Sequence, residues 1–170
     1  MPMTVSFQNP GLIDLRAIQI MGVSVKDTDN PIGYFGTGLK YAIATLLRNS
    51  QSITIWRGLE PYRFSASAEN IRGKSFSVVR MNGEPLGITT DLGRNWQMCH
   101  AFREVYAHNL DERGTQALGA VAVGFRRVGR LLKRSDDRRS SPIRWIGIIA
   151  SFLPGLTNRF RCSGRALFHR

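Results

Sequence analysis

Three glycines, Gly33, Gly36 and Gly38, fall within six residues and open onto an apolar-periodic stretch. A chain without side-chain bulk that feeds a helix N-terminus presents unpaired N–H groups and the positive end of the dipole. That setting suits a phosphate. Lys40, in the first helical turn, adds a positive charge. The helix is read from Leu39, Ala42, Ile43, Leu46 and Leu47, which recur at i, i+3, i+4, i+7 and i+8 and make one apolar face. Asn49 is placed to stop it with a left-handed residue. The same glycines also describe a plain tight turn with a packed helix behind it. On the residues alone, both readings stand.

Two familiar phosphate loops do not fit. A Walker loop needs G-x-x-x-x-G-K-[ST]; Gly33 and Gly38 have the spacing, but Leu39 occupies the lysine position. A dinucleotide fingerprint needs G-x-G-x-x-G directly after a strand. Here the order is G-x-x-G-x-G after the polar loop Lys26 to Pro31.

Ile32-Gly-Tyr-Phe-Gly-Thr-Gly-Leu39 instead resembles the second glycine box of the GHKL ATPases, I-G-x-F-G-x-G-[LF]. That superfamily holds gyrase-type topoisomerases, ninety-kilodalton-class heat-shock chaperones, MutL and histidine kinases. Upstream, Met21-Gly-Val-Ser-Val-Lys26 is similar to the G-x-S-x-K lead-in of several members. Gly36-Thr-Gly-Leu-Lys-Tyr-Ala-Ile43 also looks like a set of phage-encoded ATP-binding proteins. The resemblance implies that this loop closes over the phosphates of ATP. Gly33, Gly36, Thr37, Gly38 and Leu39 would form it, Lys40 would add charge, and Lys26 would belong to a lid. A solvated loop accounts for Lys26 equally well.

A second resemblance lies at Arg103-Glu-Val-Tyr-Ala-His-Asn-Leu-Asp111. GHKL proteins carry a helix with E-x-x-x-N and often an Asp three residues on. In that family the Glu orients or deprotonates the attacking water and the Asn holds Mg²⁺. The resemblance therefore implies Glu104 as the catalytic base, Asn109 or His108 at the metal, and ATP and Mg²⁺ as cofactors. The alternative is that Glu104 and Asp111 are solvated charges on an amphipathic helix. The match is displaced: position i+4 from Glu104 is His108, and Asn109 comes one residue later. Histidine is a poor ligand for a cation that wants oxygen. One residue also rotates a side chain by about 100° round a helix.

The elements that must position these residues can be read in order. Asp14 is placed to cap a short helix over Leu15 to Met21. After the central helix, Ser52–Trp56, Tyr62–Ala66, Phe76–Met81 and Leu86–Thr90 alternate as strands. Asn82-Gly83 signals a hairpin between the last two. A helix capped within Asp91–Asn95 then runs from Trp96 to about Leu110. The fold expected is α+β, a mainly antiparallel sheet with helices packed on one face, incomplete and GHKL-like. In most GHKL proteins the Glu/Asn helix precedes the glycine box; here it follows, so the expected fold is circularly permuted. The D-x-G-x-G box that reads adenine is then expected after residue 111, and no such motif is there.

Charge divides the chain. The net charge is +12. Up to Glu112 there are 11 basic and 10 acidic residues, a net of +1; from Arg113 on there are 13 and 2, a net of +11. We read residues 1–112 as the ATP-binding domain. Residues 113–170 read as an Arg-rich tail, loose or helical, with the character of a truncated or frame-shifted extension. If selected, Arg126, Arg127, Arg130, Arg134, Arg138 and Arg139 would neutralise nucleic-acid phosphates, or Phe125–Leu156 would lie on an anionic membrane. The longest apolar run, Trp145 to Leu156, is too short to span a bilayer. Cys99 and Cys162 are far apart and form no metal motif; with no secretory leader visible, they point to a reduced, cytoplasmic setting, a bacterial host's if phage-encoded. The expected function is ATP-Mg²⁺ binding with weak or absent hydrolysis, a degenerate ATPase; many GHKL proteins dimerise, and the sequence leaves a homodimer open. The competing expectation is a small basic nucleic-acid-binding protein in which the glycine turn is structural.

Overall fold

The computed structural model describes residues 3–23, 36–120, 145–152, 161–162 and 165–166. Strand β1 (Met3–Pro10) leads to a one-turn helix α1 (Arg16–Gln19) and then to helix α2 (Gly38–Arg48). Four strands follow: β2 (Ser52–Arg57), β3 (Glu60–Ile71), β4 (Lys74–Met81) and β5 (Glu84–Thr89). Helix α3 (Met98–Asp111) comes next, then β6 (Thr115–Ala120), β7 (Trp145–Phe152) and the short β8 (Arg161–Cys162) and β9 (Arg165–Ala166). Seven strands make one sheet in the order β5-β4-β3-β2-β7-β1-β6, antiparallel at every junction. The architecture is α+β, an antiparallel sheet carrying few helices.

The strands read as they do because alternate residues enter the core. Ile53 and Ile55 on β2, Val5 and Phe7 on β1, and Leu86 and Ile88 on β5 are buried. They meet Ala42, Ile43 and Leu46 of α2 and Ala101, Phe102 and Val105 of α3 in one apolar cluster. Helices α2 and α3 also pack on each other, so a single core fixes both against the sheet.

Local chemistry sets the ends of the elements. Asp14 Oδ1 accepts the Arg16 amide at 3.0 Å and starts α1. Both long helices end in the same way. Ser50 N–H donates to Leu47 O and Gln51 N–H to Leu46 O; Arg113 N–H donates to Leu110 O and Gly114 N–H to Asn109 O. These are paired bonds of the Schellman kind, with the left-handed residue at Ser50 (φ 57°) and Arg113 (φ 53°). The expected stop at Asn49 is thus one residue early. Asn82 (φ 50°) and Gly83 (φ 92°) make the expected hairpin turn, and Arg72 (φ 52°) with Gly73 (φ 78°) makes a second. That second turn lets β3 run on to Ile71, past the expected Ala66.

The sheet does not stop where the charge changes. Strands β6 and β7 fall beyond residue 112 and flank β1 on its two sides. β7 also pairs with β2, Ile55 opposite Ile148. The expected loose or helical tail is corrected over 115–120 and 145–152. A short unbroken apolar run such as Trp-Ile-Gly-Ile-Ile-Ala-Ser-Phe cannot be told from a helix by periodicity; its length and β-branching decide for a strand. The arginines from Arg126 to Arg139 lie outside the described residues. No helix among the described residues is long and apolar enough to cross a membrane.

The left-handed Arg113 gives a stability test. A non-glycine residue there carries strain that glycine escapes, offset by the greater freedom of glycine when unfolded. Arg113→Gly should raise the unfolding free energy by about 0.5–1 kcal/mol, read from the urea midpoint, and Arg113→Ala should not.

Candidate functional site

Helix α2 opens without a cap. Thr37 is the N-cap, and its side chain makes no capping hydrogen bond. The first bond that closes a helical turn runs from Tyr41 N–H to Thr37 O at 3.1 Å. The amides of Gly38, Leu39 and Lys40 therefore have no acceptor inside the helix. Gly36, just before them, is left-handed (φ 62°), which a glycine adopts without steric cost.

Glu104 lies at this opening. A Cβ placed on Gly38 would fall on the Glu104 carboxylate. The two residues are sixty-six positions apart in the chain and meet because α2 and α3 pack side by side. His100 and His108 lie one turn before and after Glu104 on the same helix face. His100 Nδ1 accepts the Gln97 amide at 3.0 Å in a capping box that starts α3. The expected cap within Asp91–Asn95 thus moves to Gln97. Trp96 packs edge-on to Tyr41 with ring centres 5.2 Å apart, and against His100 at 6.1 Å. Tyr41, Trp96, His100 and Glu104 so line the seam between the two helices.

Asn109 is not in that line. It lies on the core face of α3 with Phe102 and Val105 and is 2% exposed. Five residues on from Glu104, it is turned about 140° round the helix. Among the described residues its Oδ1 has no hydrogen-bond partner, and neither has the Oδ1 of Asn9 at the end of β1. Both oxygens crowd the α-carbon of Gly114, where a Cβ would fall on each of them. The expected pairing of Asn109 with Glu104 at one metal is corrected: the one-residue displacement sends its side chain inward. His108 shares the Glu104 face of α3, and no group of three His, Cys, Asp or Glu among the described residues is arranged to hold a metal.

Lys40 is also placed otherwise than expected. Its side chain is 2% exposed, and its Nζ donates to Ala17 O and Gly36 O, each at 2.7 Å. Burial pushes its pKa below the ordinary lysine value of 10.5. The ammonium is thus committed to two backbone carbonyls and does not stand free at the mouth of α2. Leu39 packs against the core, leaving its amide for the opening. Lys26 and Gly33 lie outside the described residues. Cys99 is disulfide-bonded, which corrects the expected reduced thiol.

Arg48 was not singled out by sequence. Its guanidinium donates to the carbonyls of Gly93 (3.1 Å), Trp96 (3.2 Å) and Thr90. It staples the end of α2 to the loop that leads into α3. A cation in the last turn of a helix is the signal that was present. Asn9 carried no signal at all.

No protein-family model matches the chain, and no curated protein or solved structure matches it.

The buried ammonium sets a pH dependence. With the folded pKa lowered and the unfolded value near 10.5, the unfolded chain binds more protons between the two values. Stability contributed by Lys40 therefore rises with pH through that window. The unfolding free energy of the wild type relative to that of Lys40→Met should rise from pH 7 to pH 10, measured by urea titration at each pH.

Proposed function

We propose that the opening of α2 binds the phosphates of a nucleoside triphosphate, ATP carried in as its Mg²⁺ complex, with weak or absent hydrolysis. The observation that supports this is the meeting of Glu104 with Gly38. Two stretches that resemble separate parts of one ATPase site come together across the α2–α3 seam. Three amides without helical acceptors and the positive end of the helix dipole face the same place.

In this reading the amides of Gly38, Leu39 and Lys40 hold phosphate oxygens, and Gly38 leaves room for Glu104 to approach. Glu104 orients a water or takes its proton. A carboxylate beside a triphosphate is repelled unless a cation stands between them, and Mg²⁺ bound to phosphates supplies that charge while keeping much of its water. The oxygen of Asn109 lies on the core face of α3, which leaves the cation to the phosphates and its own waters. Slow turnover follows. The choice of adenine over other bases rests on the GHKL resemblance alone, because the expected adenine-reading motif is missing from the sequence.

Isothermal titration of ATP-Mg²⁺ into the full chain, with GTP-Mg²⁺ alongside, tests the proposal. ATP should bind. Gly38→Ala should weaken binding at least about tenfold, since its methyl and the carboxylate it pushes aside crowd the first turn whose amides would take the phosphates. Glu104→Gln should keep binding and remove any slow hydrolysis, a loss of about 10²-fold or more. No heat with either nucleotide, together with salt-steep binding to DNA, would instead favour the basic nucleic-acid-binding reading.

A further inference from the structure

We infer that Lys40 is a positioning residue for this phosphate site, acting through the Gly36 and Ala17 carbonyls and never through the phosphate itself; the inference rests on the reading just proposed. The carbonyl of Gly36 lies four residues before Lys40, where it would ordinarily accept the Lys40 backbone amide and lengthen α2 by one residue. It accepts the Lys40 ammonium at 2.7 Å instead. The left-handed Gly36 (φ 62°) turns the chain so that this exchange is possible. The helix therefore begins at Gly38, and the Lys40 amide stays with those of Gly38 and Leu39 at the opening. One side chain thus satisfies the carbonyl that would otherwise consume a phosphate-binding amide.

The same ammonium reaches Ala17 O at 2.7 Å. It ties α1 to the glycine turn across twenty-three positions of sequence. Helix α1 is a single turn of four residues and is too short to hold its own shape. Its place is fixed by Ile18, buried in the core, and by this bond. Among the described residues no carboxylate forms an ion pair with Lys40; the ion pairs are Arg16–Asp14, Arg80–Glu69 and Arg94–Asp91.

The test reads the brace with and without nucleotide. In wild-type protein, NMR should show slowly exchanging Lys40 ammonium protons with through-hydrogen-bond couplings to the carbonyl carbons of Ala17 and Gly36. Those couplings should persist when ATP-Mg²⁺ is added. In Lys40→Met, which keeps the apolar stem, amide exchange at 16–20 and 36–41 should rise at least about tenfold without any nucleotide, the effect of losing two charge-assisted bonds. ATP affinity should fall by about tenfold with the salt dependence of binding unchanged, because no phosphate contact is lost. Transfer of the ammonium to phosphate on adding ATP, unchanged exchange in the variant, or a salt slope reduced by one charge would each overturn the inference. Wild-type protein that shows the brace and binds neither ATP nor GTP overturns the phosphate reading itself, a separate failure, since the exchange data need no ligand.

Discussion

The close approach of α3 to the first turn of α2 is the constraint from which the site follows. It exists because Gly38 has no side chain: any Cβ there would stand where the Glu104 carboxylate lies. Helices with ordinary side chains at their contact keep their axes about 8–10 Å apart. A glycine at the crossing lets a carboxylate come within reach of a helix N-terminus, where backbone N–H groups lack acceptors. Every chemical possibility at this site depends on that one missing methyl.

The rest of the fold holds the crossing in place. Phe7 of β1 packs on Phe102 at 5.7 Å and on Tyr106 at 6.5 Å, so the sheet fixes the rotation of α3. Arg48 fixes its start by gathering the carbonyls of the loop from Thr90 to Trp96. Lys40 fixes the start of α2 from the other side. Two buried or half-buried cations thus hold the two ends of one helix, and each does so by satisfying backbone carbonyls that secondary structure leaves over. A planar guanidinium suits the loop, where several carbonyls converge. A compact ammonium suits the confined turn between Ala17 and Gly36.

What the sequence made legible was local or periodic. The apolar spacing of α2, the alternation of β2, and the Asn82-Gly83 turn each follow from a few neighbouring residues, and each stands in the structure. The Arg72-Gly73 turn was missed because an arginine is a rare left-handed residue. β7 was missed because a central strand and a buried helix present the same unbroken apolar run. The inward placement of Lys40 was illegible for another reason. Helical position put it beside the glycines, but only tertiary structure supplied the two carbonyls that make burying an ammonium tolerable. The oxygens of Asn9 and Asn109 were illegible in the same way: they come from β1 and the end of α3, far apart in the chain, and meet over Gly114.

Asn109 shows how sharply helical geometry limits this site. A residue four positions on from Glu104 shares its face; a residue five positions on lies toward the core. No modest bend in α3 undoes a rotation of about 140°, and Asn109 is already held between Asn9 and Gly114. The helix end depends on the same place, since Gly114 N–H donates to Asn109 O at 2.7 Å. Turning Asn109 outward would unwind the final turn and bare the core beside Phe102. The residue that resembles a metal ligand in the sequence is therefore a structural one in the fold. The opening of α2 presents amides without acceptors inside the helix and the positive end of its dipole, and Asn109 adds no oxygen there.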